Sequence, residues 1–314
     1  MCSKIVFMGT PDFSVPGLKV LIQTQTVVGV VTQPDRPAGR GQQLRPSPVK
    51  AVAEAAGIPV YQPKSLRSEE AAAPLRDWQP DLIVVAAFGQ ILRPHVLDLP
   101  PHGCVNVHAS LLPRWRGASP IQHALMAGDA ETGVCLMRMD PGLDTGPVFT
   151  CRATPIGPDD TAVTLHDRLA QLGADLLAEH LAAIIAGRLT ATPQDNALAT
   201  YAPMIQKEDG RLHWTQPAAE LDRRIRALTP WPGAYAIWQG QPLKILAARP
   251  SAQSAAGAPG LVFQGEMAGT AVVATGAGSL QLHTVQLAGK RALDMAEFLR
   301  GRPDFIGGQL GEAV

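Results

Sequence analysis

Apolar residues in the first half of the chain fall into short unbroken runs separated by stretches of helical spacing. Ile5-Val6-Phe7-Met8 ends at Gly9, Val27 to Val31 is rich in β-branched residues, and Pro59-Val60-Tyr61 is a shorter run. Leu82 to Ala87 is apolar throughout, and Cys104 to His108 closes the series. Runs without alternation predict strands covered on both faces, as in a parallel sheet. Helical patterns lie between them: Ser14 to Gln23 with Pro16 near its start, Ser47 to Ala56, and Ile121 to Met126. Thr161 to Gly187 puts Leu165, Leu169, Leu172, Leu176, Leu177, Leu181 and Ile184 on one face of a long amphipathic helix, with Gly187 as its stop.

Strand alternating with helix predicts βαβ units and an α/β fold, a doubly wound, Rossmann-like parallel sheet. After Leu189 the pattern breaks up around Pro193, Asn196 and Pro203. Residues 1–189 are therefore expected to form one domain and 190–206 a linker. In 207–314 a helix, Pro217 to Leu228, precedes short alternating segments at 234–238, 243–247, 261–263, 270–275 and 280–287. Gly- and Pro-bearing turns separate these segments, which predicts a small antiparallel β-barrel of OB-like type.

A length of 314 residues suits two domains, and 46% hydrophobic against 17% charged residues excludes a disordered or fibrous chain. No apolar run reaches the roughly 18 residues that span a bilayer, so no membrane partner is expected. Met1-Cys2-Ser3-Lys4 leads directly into a strand without a signal-peptide pattern. Cys2, Cys104, Cys135 and Cys151 show no Cys-x-x-Cys spacing, so neither a metal site nor a disulfide framework is expected. Reduced thiols and a cytoplasmic location follow from that reading. Net charge is zero, yet Asp35 to Lys50 carries Arg36, Arg40, Arg45 and Lys50 against one acid, a local basic segment able to meet phosphates.

Asn106 and His108 end a predicted strand two residues apart, so both side chains point to the same side of the sheet. Ligands of such sheets bind at the carboxyl ends of strands. An amide and an imidazole there can hold a developing oxyanion, each donor being worth about 3–4 kcal/mol. Spacing alone leaves open the plainer alternative, a strand end and a turn cap. Asp144 lies in the turn Met139-Asp140-Pro141-Gly142-Leu143-Asp144-Thr145-Gly146, where its glycines allow a close backbone approach; an ordinary Asp turn is the alternative. Leu111 and Leu112, before Pro113, could flank a planar heterocycle or belong to the core. No Ser, Cys or Lys accompanies the trio as a nucleophile, which points to direct acyl transfer. Gly9-Thr10-Pro11 is neither a Gly-x-Gly-x-x-Gly fingerprint nor a phosphate loop, which disfavours nicotinamide and nucleotide-hydrolysis chemistry.

Asn106-x-His108, Ser110-Leu111-Leu112-Pro113 and the Asp144 turn resemble the formyltransferases that use 10-formyltetrahydrofolate. Similarity is greatest to members that formylate a charged initiator tRNA, and it covers essentially the whole chain. Gly9-Thr10-Pro11-Asp12-Phe13, the insertion Gln33 to Gly41 and Trp231-Pro232-Gly233-Ala234 carry that closer likeness. The resemblance implies Asn106, His108 and Asp144 as catalytic residues. It implies a folate site bordered by Ser110, Leu111, Leu112, Pro113, Phe88, Gly89, Ile91, Leu92 and Asp140, with 10-formyltetrahydrofolate as co-substrate and no metal. Arg36, Arg40, Arg45 and Lys50, with Arg223, Arg224 and Arg226 of the second domain, would contact initiator methionyl-tRNA. The activity implied is formyl transfer to the methionyl α-amine, by a monomer. The alternatives are an amino sugar nucleotide as acceptor, hydrolysis of the folate to formate, or an RNA-binding module without catalysis. The basic insertion argues against the first, and the trio would be unexplained by the last.

Overall fold

The apolar runs of the first half become neighbouring strands in the computed structural model, which describes residues 3–38, 43–253 and 257–311. In chain order the strands of this part are β1 (Lys4–Gly9), β2 (Thr26–Val31), β3 (Arg36–Ala38), β4 (Gln43–Arg45), β5 (Val60–Tyr61) and β6 (Leu82–Ala86). They continue as β7 (Cys104–His108), β8 (Arg116–Gly117), β9 (Glu131–Arg138), β10 (Val148–Pro155) and β11 (Tyr201–Ala202). Helices α1 (Val15–Thr24), α2 (Pro48–Ala55), α3 (Ala73–Trp78), α4 (Pro94–Leu97), α5 (Pro120–Ala127) and α6 (Ala162–Ile185) lie between them. The chain forms two units. One comprises Met1–Pro120, Glu131–Pro155 and Leu165–Pro203; the other comprises Ile121–Ala130, Ile156–Thr164 and Met204–Val314.

The sheet of the first unit runs β10-β9-β7-β6-β1-β2-β5. Its middle is parallel, with β1 paired to β2 and β6, β2 to β5, and β6 to β7. Every residue of β6 and β7 is buried, as the unbroken apolar runs predict. Helix starts follow local chemistry: Ser47 caps α2 by accepting from the Lys50 N–H, and Pro48 occupies the first turn.

Two departures from the expected parallel sheet matter for the site. Strand β9 joins it antiparallel to β7, and β10 runs antiparallel to β9, because the 139–147 connection between those two is too short for a helical crossover. Their register sets Cys151 opposite Cys135 with Cα atoms 4.0 Å apart, and the two form a disulfide. The expectation of reduced thiols is corrected here. A spacing of 16 residues carries no motif, and only the strand register brings the pair together. The stretch read as a linker is in its larger part a strap on the first unit. Thr192 bridges to Val148, and β11 pairs with β8 in parallel.

The second unit adds α7 (Ala218–Leu228), β12 (Tyr235–Trp238), β13 (Gln241–Ser251), β14 (Val262–Gln264), β15 (Ala271–Ala274), β16 (Ser279–Leu287), β17 (Leu293–Asp294) and α8 (Met295–Gly301). Its antiparallel sheet runs β12-β13-β16-β15-β14, with β17 on β16. The sheet curls until the tail bridges its two edges: Gly307 N–H donates to the Val262 carbonyl and Gly311 N–H to that of Ile237. Trp238, Phe298 and Phe305 meet edge to face in its core, with ring centroids 5.1–5.8 Å apart. Among the described residues no helix is long and apolar enough to cross a membrane.

Candidate active site

Strand β7 carries Asn106 and His108, paired with Met137 and Cys135 of β9. Alternation turns both toward the same face while Val107 packs beneath α6. Both side chains are nearly enclosed, at 9% and 5% exposure. Asp144 approaches them from the turn after β9 at φ 52°, in the left-handed region that few non-glycine residues adopt. Its Oδ1 stands 3.5 Å from Asn106 Nδ2, and its Oδ2 3.7 Å from His108 Nδ1. The Gly117 N–H donates to the same Oδ2 at 2.8 Å, and His108 Nε2 lies 3.0 Å from the Trp115 carbonyl. Amide, imidazole and carboxylate therefore converge at the carboxyl end of β7, where an α/β sheet places its ligand.

The turn itself is built on Asp140, whose carboxylate accepts from Thr145 Oγ1 at 2.8 Å and from the Gly142 N–H at 3.1 Å. A Cβ at Gly146 would stand 1.9 Å from the Arg138 carbonyl oxygen, so only glycine lets the turn close on the strand. Asp140 thus acts first as a turn former.

The residues expected to border a folate separate into two groups. Leu111, Leu112 and Pro113 are half-buried, Gly89 sits at φ 80° and Ile91 is exposed, so these can face a ligand. Phe88 and Leu92 are core residues, and the Ser110 hydroxyl is taken up by the Arg114 carbonyl at 2.6 Å. Phe88 contributes its carbonyl, which accepts from Gln33 Nε2 at 3.2 Å and thereby ties together the ends of β2 and β6. A surface groove lined by Arg76, Asp81, His95 and Asp98 opens at the opposite ends of the strands and holds none of these residues.

Arg36 and Arg45 face each other across the β3–β4 ribbon, and both are exposed. Arg40 lies outside the described residues. Lys50 is bound to Asp35 at 2.6 Å, which raises its pKa and lowers that of Asp35. In the second unit the α7 arginines already meet protein acceptors. Arg223 donates to the Met126 carbonyl at 3.2 Å, Arg224 to that of Asp209 at 2.6 Å, and Arg226 to Asp222 at 3.0 Å and the Asp160 carbonyl at 2.7 Å.

Reading the residues alone misses the Trp115 carbonyl, the Gly117 amide and Gln194, which donates Nε2 to the carbonyls of Asp144 and Gly146. Main-chain groups leave no mark in side-chain chemistry, and a glutamine in a Pro-flanked loop carries no signal by itself.

The chain belongs to the formyl transferase family. Residues 3–181 match the formyl transferase model, and 204–303 match that of the formyl transferase C-terminal domain. Methionyl-tRNA formyltransferase of Halorhodospira halophila is 52% identical over 306 residues, covering 96% of this chain and 97% of that protein. The enzyme of the same name from Geobacter sulfurreducens is 49% identical over 311 residues, covering 99% and 97%. Among solved structures, an N-formyltransferase from Helicobacter canadensis with folinic acid and dTDP-3-aminofucose shares the fold, with TM-score 0.67, 19% identity, and 90% and 99% of the two chains covered. HypX from Aquifex aeolicus in complex with tetrahydrofolic acid aligns with TM-score 0.62 at 17% identity over all of this chain, which spans about half (49%) of HypX.

Proposed function

We propose that this protein transfers the formyl group of 10-formyltetrahydrofolate to the α-amino group of methionyl initiator tRNA, giving N-formylmethionyl-tRNA. The meeting of Asn106, His108 and Asp144 at the end of β7 supports the chemistry. The near-full-length relatives named methionyl-tRNA formyltransferase support the acceptor. In this reading the amine attacks the formyl carbon directly. The forming oxyanion accepts an N–H bond from Asn106 Nδ2, while both His108 ring nitrogens already face acceptors, the Trp115 carbonyl and Asp144. Asp144, held by the Gly117 amide, orients His108 or a water to take the proton the attacking amine sheds and pass it to N10 as the bond from the formyl carbon to N10 breaks and tetrahydrofolate leaves.

Leu111, Leu112, Pro113 and Ile91 would flank the pterin, with Gly89 and the Asp140–Asp144 turn closing around it. Phe88, Leu92 and Ser110 would support that wall from behind. The Arg36 and Arg45 ribbon, with Arg40 and Lys50, would meet the acceptor end of the tRNA. Arg223, Arg224 and Arg226 would reach backbone phosphates only through N–H groups not already bonded within the second unit. We place this work in the cytoplasm, where charged tRNA is used.

Transfer of a labelled formyl group to initiator Met-tRNA, with elongator Met-tRNA as control, tests the reading. Replacing Asn106 by Ala is expected to lower kcat about 10²–10³-fold, the usual loss of one oxyanion donor. Near-wild-type transfer by the N106A protein would overturn the assignment.

A further inference from the structure

Trp115, Arg116 and Gly117 touch both residues that handle the proton. The Trp115 carbonyl meets His108 Nε2 at 3.0 Å, and the Gly117 N–H donates to Asp144 Oδ2 at 2.8 Å. Between them, Arg116 is only 2% exposed, yet its described partners are amides rather than carboxylates. Its Nε and Nη2 donate to Gln194 Oε1 at 3.0 and 2.8 Å, and Nη2 also to Asn196 Oδ1 at 2.8 Å. A buried guanidinium without an acid is an expensive way to add stability, so a role beyond packing is indicated.

Gln194 uses both ends of its amide. The oxygen takes the Arg116 fork, while Nε2 donates to the carbonyls of Asp144 at 2.8 Å and Gly146 at 2.7 Å. Asp144 and Trp115 are both held at positive φ, 52° and 60°, which non-glycine residues keep only where surrounding contacts impose it. Those contacts come from the strap: Gln194 on the Asp144 turn, and the Thr200 hydroxyl accepting from the Trp115 N–H at 2.9 Å.

We propose that Arg116 and Gln194 are positioning residues for formyl transfer. They lock the Asp144 turn to the Trp115–Gly117 segment, so that carboxylate and imidazole keep a fixed separation. The inference rests on the function proposed above for the reaction it serves.

A glutamate at 194 separates positioning from mere charge compensation. Gln194→Glu would strengthen the bond to Arg116, but it would set carboxylate oxygens against two carbonyls that now receive N–H bonds. A residue needed only to accommodate Arg116 would tolerate that change. A positioning residue would not. The expected result for Q194E is an unchanged KM for the tRNA and a Tm near the wild-type value, the ion pair to Arg116 offsetting the two lost N–H bonds to carbonyls. Its kcat should fall about 100-fold, the scale of a displacement near 1 Å at a catalytic group. Arg116→Lys, which still donates to both amides, should retain more kcat than Arg116→Met. Wild-type kcat in Q194E overturns the inference and leaves the function intact. If the wild-type protein transfers no formyl group at all, the functional reading fails instead. The crystal structure of Q194E then decides the geometry alone: a shifted Asp144 carboxylate upholds positioning, and an unmoved one overturns it.

Discussion

His108 faces an acceptor on either side, the Trp115 carbonyl at Nε2 and the Asp144 carboxylate at Nδ1. A neutral ring has one N–H for the two, and a protonated ring satisfies both. That arrangement suits a group which receives a proton and passes it on. Ser110, two residues away, has its hydroxyl occupied by the Arg114 carbonyl, in keeping with a reaction that forms no enzyme ester. Cys104 is no better placed as a nucleophile: burial, with Asp98 contributing, pushes its thiol up to about 12. A raised thiol pKa means the neutral form persists at every pH well below that value. In the native protein at pH 8, Cys104 should therefore stay unlabelled by iodoacetamide in peptide mapping and should react only after denaturation. Rapid native labelling would contradict its placement. The trio was only half legible in the residues, whose spacing left a strand end and an ordinary Asp turn open; the family resemblance, not the pattern, singled out Asn106, His108 and Asp144. Arg116 was passed over because its burial and its partners are properties of the fold.

Strand β7 owes its seat to a glycine in the helix above it. A Cβ built on Gly173 of α6 would stand 2.6 Å from Val107 Cγ1, between Asn106 and His108 in sequence. Glycine inside a helix costs roughly 1 kcal/mol in propensity, so an alanine there would gain if nothing else changed. Val107 is β-branched and has little rotamer freedom to yield. Gly173→Ala is therefore expected to destabilise the protein by about 1–3 kcal/mol through overpacking, measured by urea unfolding. A stabilised variant would show that α6 can lift without disturbing β7. The parallel strands and α6 were readable from periodicity. The antiparallel β9 and β10 were not, because neither their pairing nor the Cys135–Cys151 bond is encoded in local pattern. The β3–β4 ribbon sets Arg36 directly opposite Arg45, and like charges in that position weaken a hairpin. Its arginines thus serve something other than the ribbon's own stability.

With 27 basic and 27 acidic residues, the molecule as a whole offers a polyanion no net attraction, so tRNA binding must depend on local charge. Arg36→Ala and Arg45→Ala are each expected to reduce the slope of log K against log salt by about 1. Lys50→Ala should change it less, since Asp35 at 2.6 Å already balances that ammonium. Equal slopes for all three variants would remove the ribbon from the interface. The chain's own order of residues determined the strand and helix alternation, the two-part organisation, the residue types at the candidate site and the basic insertion. Each rests on patterns a few residues long, which backbone geometry converts directly into local structure. Only the tertiary structure decided which groups meet. It brought Asp144 to Asn106 across 38 residues, Gln194 to Asp144 across 50 and Arg116 to Gln194 across 78. It also turned a presumed linker into the strap that holds the site. Such contacts depend on sheet register and on the packing of distant segments, and no local pattern records either.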